Sequence, residues 1–171
     1  MGNVTTSSRS KDNGLFDYND NNTINNPISI SGGNQYYKLT NDTLGAYTNR
    51  AFAPDNIGDI WDPALNIFTF TSLDLGDIVK IRLDVEVITS IINTEIEIIM
   101  ELAVGGFTYS LPFLTESTYT TIGTHRINAY NSIYMGDLNT KDNSAYFSIN
   151  SNNNCSIKVN GWYCEILRRG Y

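Results

Sequence analysis

The chain has 171 residues, of which 41% are hydrophobic and 17% are charged, and its formal net charge is −7. A chain of this length can bury a core large enough for one domain, so it needs neither disulfides nor a metal for stability. The acidic balance argues against nucleic-acid binding, and the lack of any apolar run of about 18 residues argues against membrane insertion.

The N-terminal 35 residues differ in composition from the rest of the chain. They are rich in Asn, Ser, Thr and Gly, they lack the apolar stretch of a signal peptide, and they show no periodicity. Such a segment cannot by itself offset the entropy of ordering its backbone. We therefore predict an extended arm over residues 1–35. It is either a disordered terminus or an anchor on a neighbouring protein, bound through Leu15, Phe16, Tyr18 and Ile24.

Two long strands are predicted between Ile78 and Val104. In the first half Val79, Ile81, Leu83, Val85 and Val87 alternate with charged residues, and in the second half Ile96, Ile98, Met100, Leu102 and Val104 do the same. A period of two sends one set of side chains to each face of an extended strand. Each strand is therefore expected to bury one face.

Shorter alternating segments follow, separated by turns rich in Gly, Asn and Asp, and no segment has helical periodicity. About eight strands of this kind predict an all-β fold, an antiparallel β-sandwich of jelly-roll type over residues 36–171. Residues 155–168 form either a hairpin that turns at Asn160-Gly161 or one strand bent at Gly161. In both cases Cys155 and Cys164 are expected to be buried, reduced thiols.

Some apolar and tyrosine side chains fall at positions that the alternation assigns to the outer faces. Ile91 and Ile92 are apolar where exposure is expected, and Ile88, Ile99, Tyr130 and Tyr134 are candidate residues of an oligomer interface. The alternative is that another sheet or loop of the same chain covers them. The acidic residues of the two long strands, Glu95 and Glu97 among them, fit a solvated face.

No residue pattern predicts catalysis. The single histidine, His125, has no nucleophile motif to act with, and the sequence from Asp17 begins like a calcium loop but lacks the required glycine and glutamate. We expect a protein that is not an enzyme and that has no catalytic residue, no metal site and no cofactor.

Residues 60–171 resemble small virion proteins of tailed bacteriophages. The resemblance rests on FTFTSLDLGDIVKIRLDVEVIT, on the acidic strand ending in ELAVG, and on Thr-Tyr-Ser-Leu-Pro-Phe. It continues through IYMGDLNTKDN from Ile133 and VNGWYCEILRRG from Val159. Proteins of this kind are jelly rolls that assemble as trimers in fibre heads, knobs or capsid decorations, and they carry no catalytic motif.

The resemblance implies a non-enzymatic virion structural protein, made in the host bacterial cytoplasm and located in the virion. It would be a homotrimer on the particle surface, as a capsid decoration, a head fibre or a tail-associated fibre, and its N-terminal arm would bind capsid or tail proteins. The alternative is a receptor- or carbohydrate-binding module that acts in host attachment. Tyr119, Tyr130 and Tyr146 are its candidate contact residues.

Overall fold

Two antiparallel sheets pack face to face in the computed structural model of the chain, which describes residues 12–20, 25–41 and 49–169. The first sheet contains β1 (Gly14–Asn19), β2 (Ile28–Ile30), β6 (Ile78–Thr89), β9 (Gly123–Tyr134) and β11 (Cys155–Leu167). The second sheet contains β3 (Tyr37–Lys38), β4 (Trp61–Asp62), β5 (Ile67–Phe68), β7 (Thr94–Val104), β8 (Tyr109–Tyr119) and β10 (Ser144–Ser151). The predicted antiparallel sandwich of jelly-roll type is confirmed.

The two long predicted strands, β6 and β7, each have a neighbouring strand on both sides. In the first sheet the order is β1-β11-β6-β9, and β2 also pairs with β11. In the second sheet the order is β4-β5-β10-β7-β8, and β3 also pairs with β10. Because β6 and β7 are joined by a short turn, the start of β6 and the end of β7 lie at the same end of the sandwich.

The inner faces of β6 and β7 form the core, as their alternation predicts. The apolar residues of β6 from Val79 to Val87 are at most 1% exposed, and Ile96, Ile98, Met100 and Leu102 of β7 are equally buried. Each such side chain contributes roughly 1.5–3 kcal/mol when it leaves water. An aromatic cluster fills the space between the sheets, where Trp162 stacks on Phe147 with ring centroids 5.5 Å apart.

The C-terminal segment is a single bent strand and not a hairpin. β11 pairs with β6 along its whole length, and the register shifts between Val159 and Gly161. A Cβ atom at Gly161 would lie 2.1 Å from the backbone oxygen of Tyr18, so a side chain does not fit at this bulge. Cys155 and Cys164 are buried and form no disulfide, which confirms the predicted reduced thiols.

The described part of the N-terminal segment belongs to the first sheet. β1 pairs antiparallel with β11 from Gly14 opposite Ile166 to Asn19 opposite Gly161, and β2 pairs with the other half of β11. The predicted domain boundary at residue 36 is therefore corrected. The described residues of this segment pair with one edge of β11, whereas residues 1–11 and 21–24 lie outside the described ranges.

One predicted turn contains a short helix, α1 (Leu138–Asp142). The carboxylate of Asp137 accepts a hydrogen bond from the backbone N–H of Thr140 at 2.7 Å and so caps the first turn. A helix of five residues is too short to show a repeat of apolar residues every 3.6 positions, so the sequence predicts only a loop here.

Candidate interaction surfaces

His125 stabilises a loop. Its Nε2 atom lies 3.0 Å from the hydroxyl oxygen of Thr89 and 3.0 Å from the carbonyl oxygen of Thr121, and its ring packs on Tyr119 with centroids 4.4 Å apart. The described residues contain no group of three or more His, Cys, Asp or Glu side chains that could hold a metal ion. Within the same residues, no helix is long and apolar enough to span a membrane.

The outer face of the first sheet carries charges in pairs. Lys80 binds Glu165 at 3.1 Å, Arg82 binds Asp84 at 2.9 Å, and Arg126 binds Glu86 at 3.1 Å. The hydrogen bond to Glu165 raises the pKa of Lys80. This face is therefore close to neutral, and the exposed tyrosines Tyr130 and Tyr134 stand among the paired charges.

The four predicted interface residues do not form one surface. Tyr130 and Tyr134 are 55% and 61% exposed on β9, and Ile88 is half-buried on the same outer face. Ile99 points outward from the second sheet but is only 4% exposed. It lies on β7 between Pro112 of β8 and Ser148 of β10, and neighbours on both sides cover it. The prediction of an exposed contact at Ile99 is therefore wrong.

Three of the four predicted anchor residues, Leu15, Phe16 and Tyr18, lie on β1 within the sandwich. Phe16 and Tyr18 are 0% and 1% exposed in the core, and Leu15 is half-buried. The Tyr18 ring stacks on Trp162 at 6.1 Å. Ile24 lies outside the described residues. The prediction that Phe16 and Tyr18 anchor the chain to another protein is therefore wrong, because the alternation of side chains within β1 directs both of them into the space between the sheets.

An acidic groove lies on the outer face of the second sheet. Its volume is about 210 Å³, and it is lined by Glu95, Glu97, Glu116, Asn34, Asn150 and Asn152. The hydroxyl of Tyr36 donates a hydrogen bond to the Glu97 carboxylate, and burial together with this bond raises the pKa of Tyr36. None of the three groove carboxylates has an ion-pair partner among the described residues.

The three tyrosines proposed for carbohydrate contact are separated. Tyr119 packs on His125, Tyr130 lies on the first sheet, and Tyr146 lies on the second sheet with the Lys38 ammonium 4.7 Å from its ring centre. Tyr36 is the tyrosine beside the groove, and it is 43% exposed. The sequence does not indicate Tyr36 as a contact residue, because β3, which follows it directly, has only two residues and so shows no alternation.

Exposed isoleucines gather at one end of the sandwich. Ile91 and Ile92 lie in the β6–β7 turn and are 45% and 58% exposed, and Ile122, in the β8–β9 turn, is 64% exposed. The first residue of β9, Gly123, pairs with Thr89 at the end of β6, so the two turns are neighbours. The sequence indicates Ile91 and Ile92 as unusual, but it does not indicate Ile122.

The fold of the chain is similar to part of the proteins in several solved virus structures. The chain superimposes on the infectious bursal disease virus Gx strain structure with a TM-score of 0.53 and 10% identity, covering 92% of this chain and 33% of that one. It superimposes on the T13 particle of the same virus with a TM-score of 0.53 and 11% identity, covering 98% and 36%. The VP2 subviral particle of that virus gives a TM-score of 0.52 at 10% identity, covering 98% and 37%.

The chain thus spans about a third of the length of these viral proteins. Identity near 10% establishes a shared jelly-roll fold and no more. No family model matches the sequence, and no curated protein matches it either.

Proposed function

We propose that the protein is a non-enzymatic structural protein of a virus particle. The observation that carries this proposal is the superposition of 98% of the chain on the VP2 subviral particle protein. Fold alone does not define function, but jelly rolls of particle proteins serve as rigid blocks that present surfaces to neighbours. The exposed apolar residues and tyrosines found on this sandwich suit that use.

We further propose that the particle is a tailed bacteriophage and that the protein is a homotrimer on its surface. The strand sequences of residues 60–171 support this assignment through their resemblance to phage virion proteins. The protein would serve as a capsid decoration, a head fibre or a tail-associated fibre. In this proposal Tyr130 and Tyr134 contact neighbouring proteins in the particle.

Residues 1–11 are the part of the N-terminal segment that remains a candidate anchor. The described chain begins at Asp12 and Asn13. The carboxamide oxygen of Asn13 accepts a hydrogen bond from the backbone N–H of Arg168 at 2.8 Å. Asn13 therefore lies at the end of the sandwich where β6 begins. Attachment there to capsid or tail proteins would leave the opposite end, with its isoleucines, free to meet other proteins.

Mass spectrometry of purified virus particles encoded by the same genome tests the structural role. We expect the chain to sediment with the particles at a fixed copy number through a density gradient. If it were found only in the soluble fraction of infected cells, the proposed role would be wrong. A deletion of residues 1–11 should keep the fold and abolish attachment, whereas attachment of the shortened chain would contradict the anchor.

A second candidate function is binding of a host-surface glycan in the acidic groove. Carboxylate and carboxamide groups suit hydrogen bonds to hydroxyl groups, and Tyr36 offers a ring beside them. Asn150, one of the residues that line the groove, has a buried Oδ1 atom without a hydrogen-bond partner among the described residues.

A glycan array with wild type, Glu97→Gln and Tyr130→Ala separates the groove from the other sheet. Binding that is lost in Glu97→Gln and kept in Tyr130→Ala would support the groove. Equal binding by all three proteins would place any glycan contact elsewhere.

A further inference from the structure

Four loops at one end of the sandwich contain no charged residue. These loops, here called the isoleucine end, are residues 31–34 (SGGN), 90–93 (SIIN), 120–122 (TTI) and 152–154 (NNN). Strand register brings them together, because Cys155 pairs with both Ile30 and Thr89, and Thr94 pairs with Tyr119. At the opposite end the turns carry Asp74, Asp77, Asp137, Lys141, Asp142, Arg168 and Arg169.

The isoleucine end exposes three large aliphatic side chains in a group. Ile91, Ile92 and Ile122 are 45%, 58% and 64% exposed, and Asn, Ser, Thr and Gly surround them. The nearest charges are the Glu86–Arg126 pair on the first sheet and the carboxylates of Glu95, Glu97 and Glu116, which line a groove together with Asn34 and Asn152. An apolar centre within an uncharged polar rim is the composition of a protein interface, where charged residues are depleted.

Hydrogen bonds hold these loops in place before any partner binds. The hydroxyl of the fully buried Thr94 donates to the carbonyl of Ile91 at 2.7 Å, and the hydroxyl of Thr89 donates to the carbonyl of Thr121 at 3.1 Å. The Nε2 atom of His125 lies within hydrogen-bond distance, 3.0 Å, of the same Thr121 carbonyl oxygen. A preordered contact surface loses little conformational entropy on binding.

The other two loops are tied to the same framework. The Asn152 carboxamide donates to the carbonyl of Asn93 at 3.3 Å and accepts from the N–H of Glu95 at 2.9 Å. The N–H of Gly32 donates to the Asn154 side chain at 2.7 Å. The four loops thus form one connected surface rather than four independent tips.

We infer that the isoleucine end is the contact through which copies of this chain meet around the rotation axis of the homotrimer. This inference rests on the proposed function, which supplies the homotrimer. Each copy carries a net charge of −7, so a contact through a surface without charged side chains keeps the like charges of neighbouring copies apart. Rotational symmetry brings equivalent loops of every copy to the axis, where a patch without charge causes no repulsion between like groups.

A lipid surface fits these loops less well. They contain no Lys or Arg to bind anionic headgroups, and the net charge of the chain opposes approach to an anionic membrane. A second copy of the chain fits both the apolar centre and the uncharged rim.

The test is the solution mass of the full chain by light scattering over a wide range of concentration. The wild type is expected at three times 19.1 kDa. The triple variant Ile91→Ser/Ile92→Ser/Ile122→Ser should shift the dissociation midpoint about 100-fold upward or more, because each buried isoleucine contributes about a tenfold factor in affinity. Ile92→Asp should have the same effect by bringing like charges to the axis.

The matched control is Phe107→Ser/Leu138→Ser, which removes two side chains that are 87% and 59% exposed at the charged end. It should remain assembled, and all variants should keep the thermal transition of a dilute wild-type sample. An assembled wild type with an assembled triple variant would overturn the contact and leave the homotrimer intact. A wild type that is monomeric at every concentration would overturn both.

Vesicles of phosphatidylcholine provide a further arm of the experiment. If wild type sedimented with them and the triple variant did not, the end would be a lipid contact and the inference would be wrong. Assembly into a dimer that the triple variant abolishes would support the contact and contradict the proposed trimer.

Discussion

Whether a side chain is exposed depends on its neighbours in adjacent strands as well as on the direction in which it points. Ile99 and Ile92 are both apolar residues outside the core, yet the first is 4% and the second 58% exposed. Ile99 lies on a central strand, where Pro112 and Ser148 flank it, whereas Ile92 lies in a turn. The two positions therefore respond to substitution in different ways.

Ile99→Lys is expected to destabilise the sandwich. The substitution places an ammonium group in a site that neighbouring strands cover, and we expect the free energy of unfolding to fall by about 3 kcal/mol. Chemical denaturation measures this loss. Leu65→Lys, at a residue that is 61% exposed, is the control and should change stability little. Equal stability of both variants would mean that Ile99 is accessible in solution.

Cys155 makes stability depend on pH in the alkaline range. Burial raises the pKa of this thiol above its ordinary value of 9.0, and the hydrogen bond with Ser151 opposes the shift only in part. The unfolded chain therefore loses this proton at a lower pH than the folded chain, so the free energy of unfolding falls as pH rises above 9. Below that pH both states keep the proton, and the group adds no pH dependence.

Urea unfolding of wild type and Cys155→Ala across this range checks the prediction. The wild type should lose more stability than the variant between pH 9 and 10. Tyrosines, whose ordinary pKa is 10.0, also titrate here, but they are present in both proteins, so the difference between the two profiles reports Cys155. Parallel pH profiles for the two proteins would contradict it.

The strands β1 and β11 show how a neighbouring element decides the shape of a strand. β11 bends at Gly161 because the backbone of β1 passes close by, and the Tyr18 carbonyl occupies the place of a side chain. The N–H of Asp20 then donates to the carbonyl of Asn160 at 3.0 Å. The bulge therefore couples the N-terminal strand to the C-terminal strand.

Gly161→Ala should displace β1 from β11. The added Cβ atom would meet the backbone oxygen of Tyr18 at 2.1 Å, and relief of this clash moves Tyr18 out of its stack on Trp162. We expect a loss of about 2 to 3 kcal/mol, which corresponds to a fall in Tm of roughly 10 °C. Gly58→Ala is the control, since the nearest atom to its Cβ is 4.0 Å away. Identical melting of the two variants would contradict the close approach.

The whole molecule has two unlike ends and two unlike outer faces. One end is charged and adjoins the N-terminal segment, and the other has four uncharged loops with exposed isoleucines. Charges on the first sheet are paired, whereas the groove on the second sheet collects carboxylates. Such differences between the two ends and between the two faces suit a protein that presents different surfaces to different neighbours.

Two N-terminal deletions test whether the N-terminal segment is a separate arm or an integral part of the fold. Removal of residues 1–11 should leave Tm unchanged, because β1 begins at Gly14. Removal of residues 1–30 takes away β1 and β2, leaves one edge of β11 unpaired and removes Phe16, Tyr18 and Ile30 from the core. Thermal unfolding followed by circular dichroism should show no cooperative transition for the longer deletion. A normal transition in that variant would restore residues 1–35 as a separate arm.

The sequence alone determined the all-β sandwich, the two long strands from Ile78 to Val104 and the buried thiols. These features depend on the direction of alternate side chains, which is a local property of the backbone. The sequence also indicated Ile91 and Ile92 as unusual, because two apolar residues within an otherwise polar turn can be recognised without a structure.

Only the tertiary structure decided what each of these residues meets. It placed Phe16 and Tyr18 in the core, since the edge of β11 that orders them is more than 140 residues away in the chain. It covered Ile99 with adjacent strands and joined Ile122 to Ile91 and Ile92 in one surface. Such contacts depend on strand order and register, which are set by packing between distant segments and leave no local pattern in the sequence.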